Sequence, residues 1–124
     1  MTIEKIIDEE NDLTMFVVTG EAIEEEMFGA VDSIYERAPT RRILWDMSGA
    51  DMSSVTPNQV RTFVDYSVER GKDKIDGLTA LVASGDLEFG FARMSGSLTE
   101  LGGAPYSLNC FRTREEAIAW LLSA

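Results

Sequence analysis

The 124-residue sequence contains no histidine and a single cysteine. The missing imidazole excludes a Ser-His-Asp triad, a Cys-His pair, a two-His-one-carboxylate iron site and every His-containing zinc site. One thiol supplies neither an internal disulfide nor a Cys₄ metal site. Cations are scarce as well: 11 Lys and Arg stand against 22 Asp and Glu, a formal net charge of −11. Nucleic acid and anionic lipid are polyanionic, so a surface of this sign repels both unless its cations gather on one face. They concentrate only at Arg41-Arg42 and around Arg70, Lys72 and Lys74, and no nucleic-acid partner is expected. No apolar run approaches the ~18 residues of a spanning helix, so no integral membrane segment is expected. The stretch Met1–Glu10 is acidic and lacks the basic start and apolar centre of a signal peptide, which points to a cytoplasmic protein.

What is present is a foldable chain. Hydrophobic residues make up 44% of it, too many for intrinsic disorder. A chain of this length buries roughly two-thirds of its unfolded surface. No repeat, low-complexity segment or linker divides it, so residues 1–124 read as one domain.

Ile3, Ile6 and Ile7, and then Leu13 to Val18, read as two strands, with the polar turn Asp8–Asp12 making them a hairpin. From Glu21 to Arg37 the period changes. Ile23, Met27, Ala30, Val31 and Ile34 fall on one helical face, Glu24, Glu25 and Glu26 suit the positive end of its dipole, and Pro39 follows its end. Ile43-Leu44-Trp45 is a short strand buried on both faces, followed by a polar loop from Asp46 to Val55. Thr56-Pro57-Asn58-Gln59 predicts a helix start with Thr56 as N-cap, Pro57 at the first position and Gln59 closing a capping box. Val60, Phe63, Val64 and Ser67 line that helix, and Gly71 suits the position just past its end.

Leu78 to Ala83 is a further buried strand. Leu87, Phe91, Met94, Leu98 and Leu101 then recur at helical spacing and predict a core-facing stripe that ends at Gly102-Gly103. Tyr106 to Phe111 is the last strand, and Thr113–Glu116 is a second capping box opening a terminal helix. This order predicts an α/β fold: a hairpin start followed by βα units, giving a mixed, mostly parallel five-stranded sheet with about four helices. Ligands of open α/β sheets favour the carboxyl ends of the strands. Three loops meet there: Asp46–Val55, Ala83–Leu87 and Phe111–Thr113.

Tests for catalytic motifs leave no catalytic, cofactor or metal set. Asp8, Glu10 and Asp12 imitate the first ligands of an EF-hand, but Leu13 stands where glycine is required and Thr19 where a bidentate glutamate is required. Gly85 and Gly90 have phosphate-loop spacing, but Phe91-Ala92 replaces the Lys-Ser/Thr pair. Ser48 lacks the first glycine of a nucleophile elbow and a histidine to activate it. Asp46 and Asp51 could form a carboxylate pair, although an aspartate here more often binds amides of its own loop or a nearby helix start. Cys110 reads as a small buried hydrophobe. On the third helix, Phe89 falls off the apolar stripe, and with Phe91, Met94 and Leu98 it offers surplus apolar surface for a lipophilic ligand or a partner. Met52 in the 46–55 loop is of the same kind.

Three stretches carry a family resemblance. Cys110–Leu121 resembles the closing F-x-x-x-x-E-A-x-x-W-L signature of SpoIIAA-like (STAS/CRAL-TRIO-related) small bacterial proteins. Val18-Thr19-Gly20 resembles that family's exit from the second strand. Leu44-Trp45-Asp46-Met47-Ser48-Gly49 resembles the turn after the third strand of anti-sigma factor antagonists. The resemblance implies a regulatory, non-enzymatic module that docks a protein partner through the loop Asp46, Ser48, Asp51, Ser53, Ser54 and Thr56. In antagonists a serine in this region is phosphorylated. Here Ser54 replaces the preceding aspartate and Pro57 the following glycine, so Ser53, Ser54 and Thr56 read first as loop hydroxyls. A carrier of a small lipophilic molecule is the alternative, and an enzyme built on Asp46 the third. The hairpin edge and the third helix also leave room for a homodimer.

Overall fold

The computed structural model describes residues 1–123. Strands β1 (Thr2–Asp8) and β2 (Leu13–Glu21) form the hairpin, followed by α1 (Glu24–Ile34), β3 (Arg42–Asp51), α2 (Pro57–Arg70), β4 (Leu78–Val82), α3 (Asp86–Leu101), β5 (Ser107–Phe111) and α4 (Arg114–Ser123). The five strands lie in one sheet in the order β1-β2-β3-β4-β5. The first pair is antiparallel and the other three are parallel. The expected α/β architecture is therefore the one observed. Among the described residues, no helix is long and apolar enough to cross a membrane.

Side chains alternate along a strand, so each interior strand feeds two cores. Phe16, Val18, Ile43 and Trp45 pack with Ala30 and Val31 of α1 and with Phe63 and Tyr66 of α2. On the opposite face, Leu13, Leu44, Leu78, Ala80 and Val82 pack with Ala117 and Leu121 of α4. Helices α1, α2 and α3 share the first face; α4 covers the second alone. Asp32 binds α1 to α2 by accepting hydrogen bonds from the Tyr66 hydroxyl and from Arg70 Nε, and Arg70 lies over the Tyr35 ring.

The start of α2 is as the sequence predicts. Thr56 Oγ1 accepts from the Gln59 amide at 3.2 Å, and Gln59 Oε1 accepts from the Thr56 amide at 2.9 Å. At α4 the box takes another form. Thr113 Oγ1 accepts from the Glu116 amide, but the Glu116 carboxylate receives the Thr113 hydroxyl.

Four expectations need correction. The stretch from Asp46 to Asp51 is strand, so the polar loop begins only at Met52. Helix α1 is shorter than Glu21–Arg37, because Glu21 ends β2 paired with Asp51, and the Ala22 amide donates to Asp51 O at 3.0 Å. Gly71 caps α2 with φ −94°, outside the left-handed region. Glycine suits it for close packing: an added Cβ would meet the Tyr106 ring and the Tyr35 hydroxyl at 2.8 Å.

The fourth correction concerns α3. Its buried residues are Ala92 and Thr99, whereas Leu87 and Leu101 of the expected core stripe are 49% and 84% exposed. The helix packs against β5 with its small residues at the contact. An added Cβ on Gly96 would meet Leu108 Cδ2 of β5 at 3.4 Å. Close approach selects small residues, so Ala92, Ser95, Gly96 and Thr99 form the inner face and the bulky side chains move to the flanks.

Candidate functional site

The strand that positions the site carries one residue too many. Between Val17 and Thr19, β2 advances two residues, while its partner β3 advances three, from Asp46 to Gly49. This is a β-bulge, and a bulge inverts the alternation beyond it. Trp45 and Ala50, which strict alternation would place on opposite faces, consequently pack into the same core. Met47 and Met52 pack against that core too.

Asp46 braces the bulge. Its Oδ1 accepts from the Ser48 amide at 3.0 Å and from the Ser48 hydroxyl. Its Oδ2 accepts from Arg114 Nε at 2.9 Å and Nη2 at 2.7 Å. Burial disfavours the charged carboxylate, but the Ser48 hydrogen bonds and the Arg114 guanidinium outweigh it and hold the group below its ordinary range. Gly49 completes the bulge because an added Cβ would stand 2.9 Å from Thr19 Cγ2 and 3.3 Å from Val18 O. Gly49→Ala is expected to lower stability by about 1–3 kcal/mol, the usual cost of overpacking, measured by urea unfolding. An unchanged midpoint would show that the bulge yields freely.

Beyond the bulge a cleft of about 270 Å³ opens at the carboxyl ends of β3 and β4. Its apolar lining includes Met27, Trp45, Met47, Met52, Val60, Phe63, Leu81 and Phe91. The polar part consists of Glu21, Glu24, Glu88, Ser54, Gln59 and Ser95. The first turns of α1, α2 and α3 all border it, through Glu24, Gln59 and Val60, and Glu88 respectively. Ala92 and Ser95, from the small-residue face of α3, leave the space that larger side chains would fill. A smaller cavity of about 60 Å³ shares Trp45, Phe63, Leu81 and Ser95 with it and continues toward Tyr35, Lys74 and Tyr106.

The expected site residues divide sharply. Ser54 lines the cleft, and its hydroxyl donates to Glu21 Oε1 at 2.9 Å. Thr56 lies beside it with its hydroxyl oxygen committed to the cap of α2. Asp51 is exposed at the strand end and accepts from the Ser53 amide at 2.9 Å; hydrogen bonds from Ser53 hold its carboxyl below the ordinary range. Asp46 and Ser48 belong to the bulge brace, outside the cleft lining. The structure does not bring Asp46 and Asp51 together as a carboxylate pair: each is bound to its own serine and they stand five residues apart along β3.

Of the apolar set, Phe91 lines the cleft. Phe89 lies under Arg112, whose guanidinium carbon is 4.0 Å from the ring centroid, and Arg112 Nη1 donates to Asp86 at 2.9 Å. Met94 and Leu98 are half-buried and lie outside the cleft lining. Of the three loops expected at this edge, those after β3 and β4 border the cleft; the third, Phe111–Thr113, does not. Cys110 is half-buried near Gly96, and burial pushes its thiol up despite Arg93.

Sequence reasoning overlooked Met27, Met47 and the glutamates at Glu21, Glu24 and Glu88. The signal available was methionine itself. Met27, Met47 and Met52 are three of the six methionines in the chain, and methionine suits adaptable apolar surfaces. No protein-family model matches the chain, and no curated protein sequence matches it.

Proposed function

We propose that this chain is a non-enzymatic binding domain that takes a small, largely apolar organic molecule into the cleft between α1, α2 and α3. The observation that carries this reading is the cleft itself, about 270 Å³ in volume, walled by methionine and aromatic side chains at the carboxyl edge of the sheet. An apolar cavity of about 150 Å³ accommodates benzene, so this one has room for roughly a two-ring molecule.

Binding is favoured over catalysis because Asp46, the one buried carboxylate among the described residues, is outside the cleft lining and neutralised by Arg114. The likeness to SpoIIAA-like proteins supports a second reading, docking of a protein partner. The exposed Ser54 at the cleft mouth and its exposed neighbour Ser53 favour it.

Native mass spectrometry of the protein purified from its own host tests the first reading. A non-covalent adduct of small-organic mass is expected on the chain, and Ala92→Phe, which fills the cleft floor, is expected to lose it while remaining folded by circular dichroism. Bare chains that also take up no apolar probe in solution would transfer the case to docking.

A further inference from the structure

The cleft is apolar in its walls and one-signed in its charge. Three glutamates line it, and no lysine or arginine does. They come from three separate elements: Glu21 from the end of β2, Glu24 from the first residue of α1 and Glu88 from the first turn of α3. Glu21 is steadied by the Ser54 hydroxyl at 2.9 Å. Glu88 folds back over its own helix start, its Oε2 occupying the space beside Gly85, where an added Cβ would stand 2.5 Å away. The ion pairs among the described residues join Arg70 to Asp32, Lys72 to Glu69, Arg112 to Asp86 and Arg114 to Asp46. None engages the three cleft glutamates.

One opposing effect needs weighing. Three helices begin at the cleft, and each helix start presents roughly half a positive charge, about +1.5 in all. The three lining carboxylates carry twice that with the opposite sign. Glu25 and Glu26, also in the first turn of α1, add to it, while Asp86 at the start of α3 is offset by Arg112. The capping box also engages the start of α2, which therefore offers little to an anion. The field at the mouth is negative, inside a domain whose net charge is already −11. Glu21 and Glu24 are exposed and Glu88 is half-buried, so salt screens this field and it acts most strongly at low ionic strength.

We propose that the occupant of the cleft is an amphiphilic cation: an apolar body of about two rings seated among Met27, Met47, Met52 and Phe91, with an ammonium or guanidinium group at the glutamate-lined mouth. This rests on the binding reading above and adds the sign of the ligand. Polarisable thioethers and aromatic faces suit such a body, and three separate carboxylates suit a head that donates in several directions.

Isothermal titration with three probes of one shape separates the two claims. 1-Naphthylmethanol tests the cleft alone, 1-naphthylmethylammonium adds the cation, and 1-naphthoate reverses the charge. At low salt the ammonium is expected to bind about tenfold tighter than the alcohol, and the carboxylate weaker than both. In the E21Q/E24Q/E88Q variant the ammonium-to-alcohol ratio is expected to fall to about one. An alcohol that binds as tightly as the ammonium overturns the cationic ligand and leaves the binding domain standing. If no probe binds, the binding reading fails and this inference fails with it.

Discussion

Replacing Arg114 with methionine is expected to lower the unfolding free energy at pH 7 by about 2–3 kcal/mol. Removing one partner of a fully buried pair costs about 3–5 kcal/mol, and the Arg114 side chain is 41% exposed against 7% for Asp46. Water therefore recovers part of what the carboxylate loses. The methionine keeps the apolar stem of the side chain, so the loss reports the guanidinium.

Acid provides the control. The native carboxyl of Asp46 titrates below its unfolded value, so its contribution is present above about pH 4 and is lost as pH falls through the native value. The gap between wild type and Arg114→Met should narrow as pH drops below about 4, read from urea unfolding in a pH series. A gap that stays constant into strong acid would mean that Arg114 acts through packing.

Lys74→Met should act in the opposite direction and raise stability at pH 7 by about 2 kcal/mol. Lys74 lines the smaller cavity with Tyr35 and Tyr106 and is half-buried there. Burial lowers its ammonium to about 8, partly opposed by Asp12. Between pH 8 and the unfolded value of about 10.4 the unfolded chain holds the proton that the native chain has released, so stability climbs with pH. Below pH 8 the native protein carries the cost of holding the charge in this half-buried setting, at most on the order of 3 kcal/mol. Loss of the attraction to Asp12 offsets some of the gain. Thermal unfolding at pH 7 should move up by about 8 °C, and the advantage should vanish by about pH 10.5. A methionine variant no more stable than wild type would show the ammonium already well solvated.

The sequence displayed its strand and helix periods, and so the fold class, without ambiguity. Ile43-Leu44-Trp45 could hardly be anything but an interior strand, and Thr56–Gln59 wrote out its own helix start. The errors lie where tertiary contacts override local pattern. Asp46-Met47-Ser48-Gly49 looks like a turn because aspartate, serine and glycine favour turns. In the fold they form a bulge, because Glu21 and Asp51 still pair beyond them.

On α3 the leucines advertised a core face. The buried positions went to Ala92 and Thr99 instead, with Gly96 against Leu108 of β5. A hydrophobicity pattern weighs large residues and overlooks the small ones that close packing needs. The candidate site was half legible for the same reason. Ser54, Phe91 and Met52 were visible from a loop and a helix position, whereas Met47 was hidden in the misread turn. Glu24 looked like an ordinary helix-start acid, Glu21 and Glu88 drew no notice as site residues, and only the fold gathers the three around one opening.

The placement of α4 has a consequence of another kind. Among the described residues it is the sole helix on its side of the sheet, tied at its start through Arg114 to Asp46 and near its end by Arg42 Nε, which donates to Leu121 O at 2.8 Å. Among the described residues, none of α4 lines the cleft. A lineage of such domains could therefore rework its ligand preference on one side while purifying selection guarded the other. Neutral drift in α4 away from Arg114, whose partner Asp46 braces the bulge beside the cleft, would leave recognition intact, and new specificities could arise without renegotiating the clamp that keeps the sheet covered.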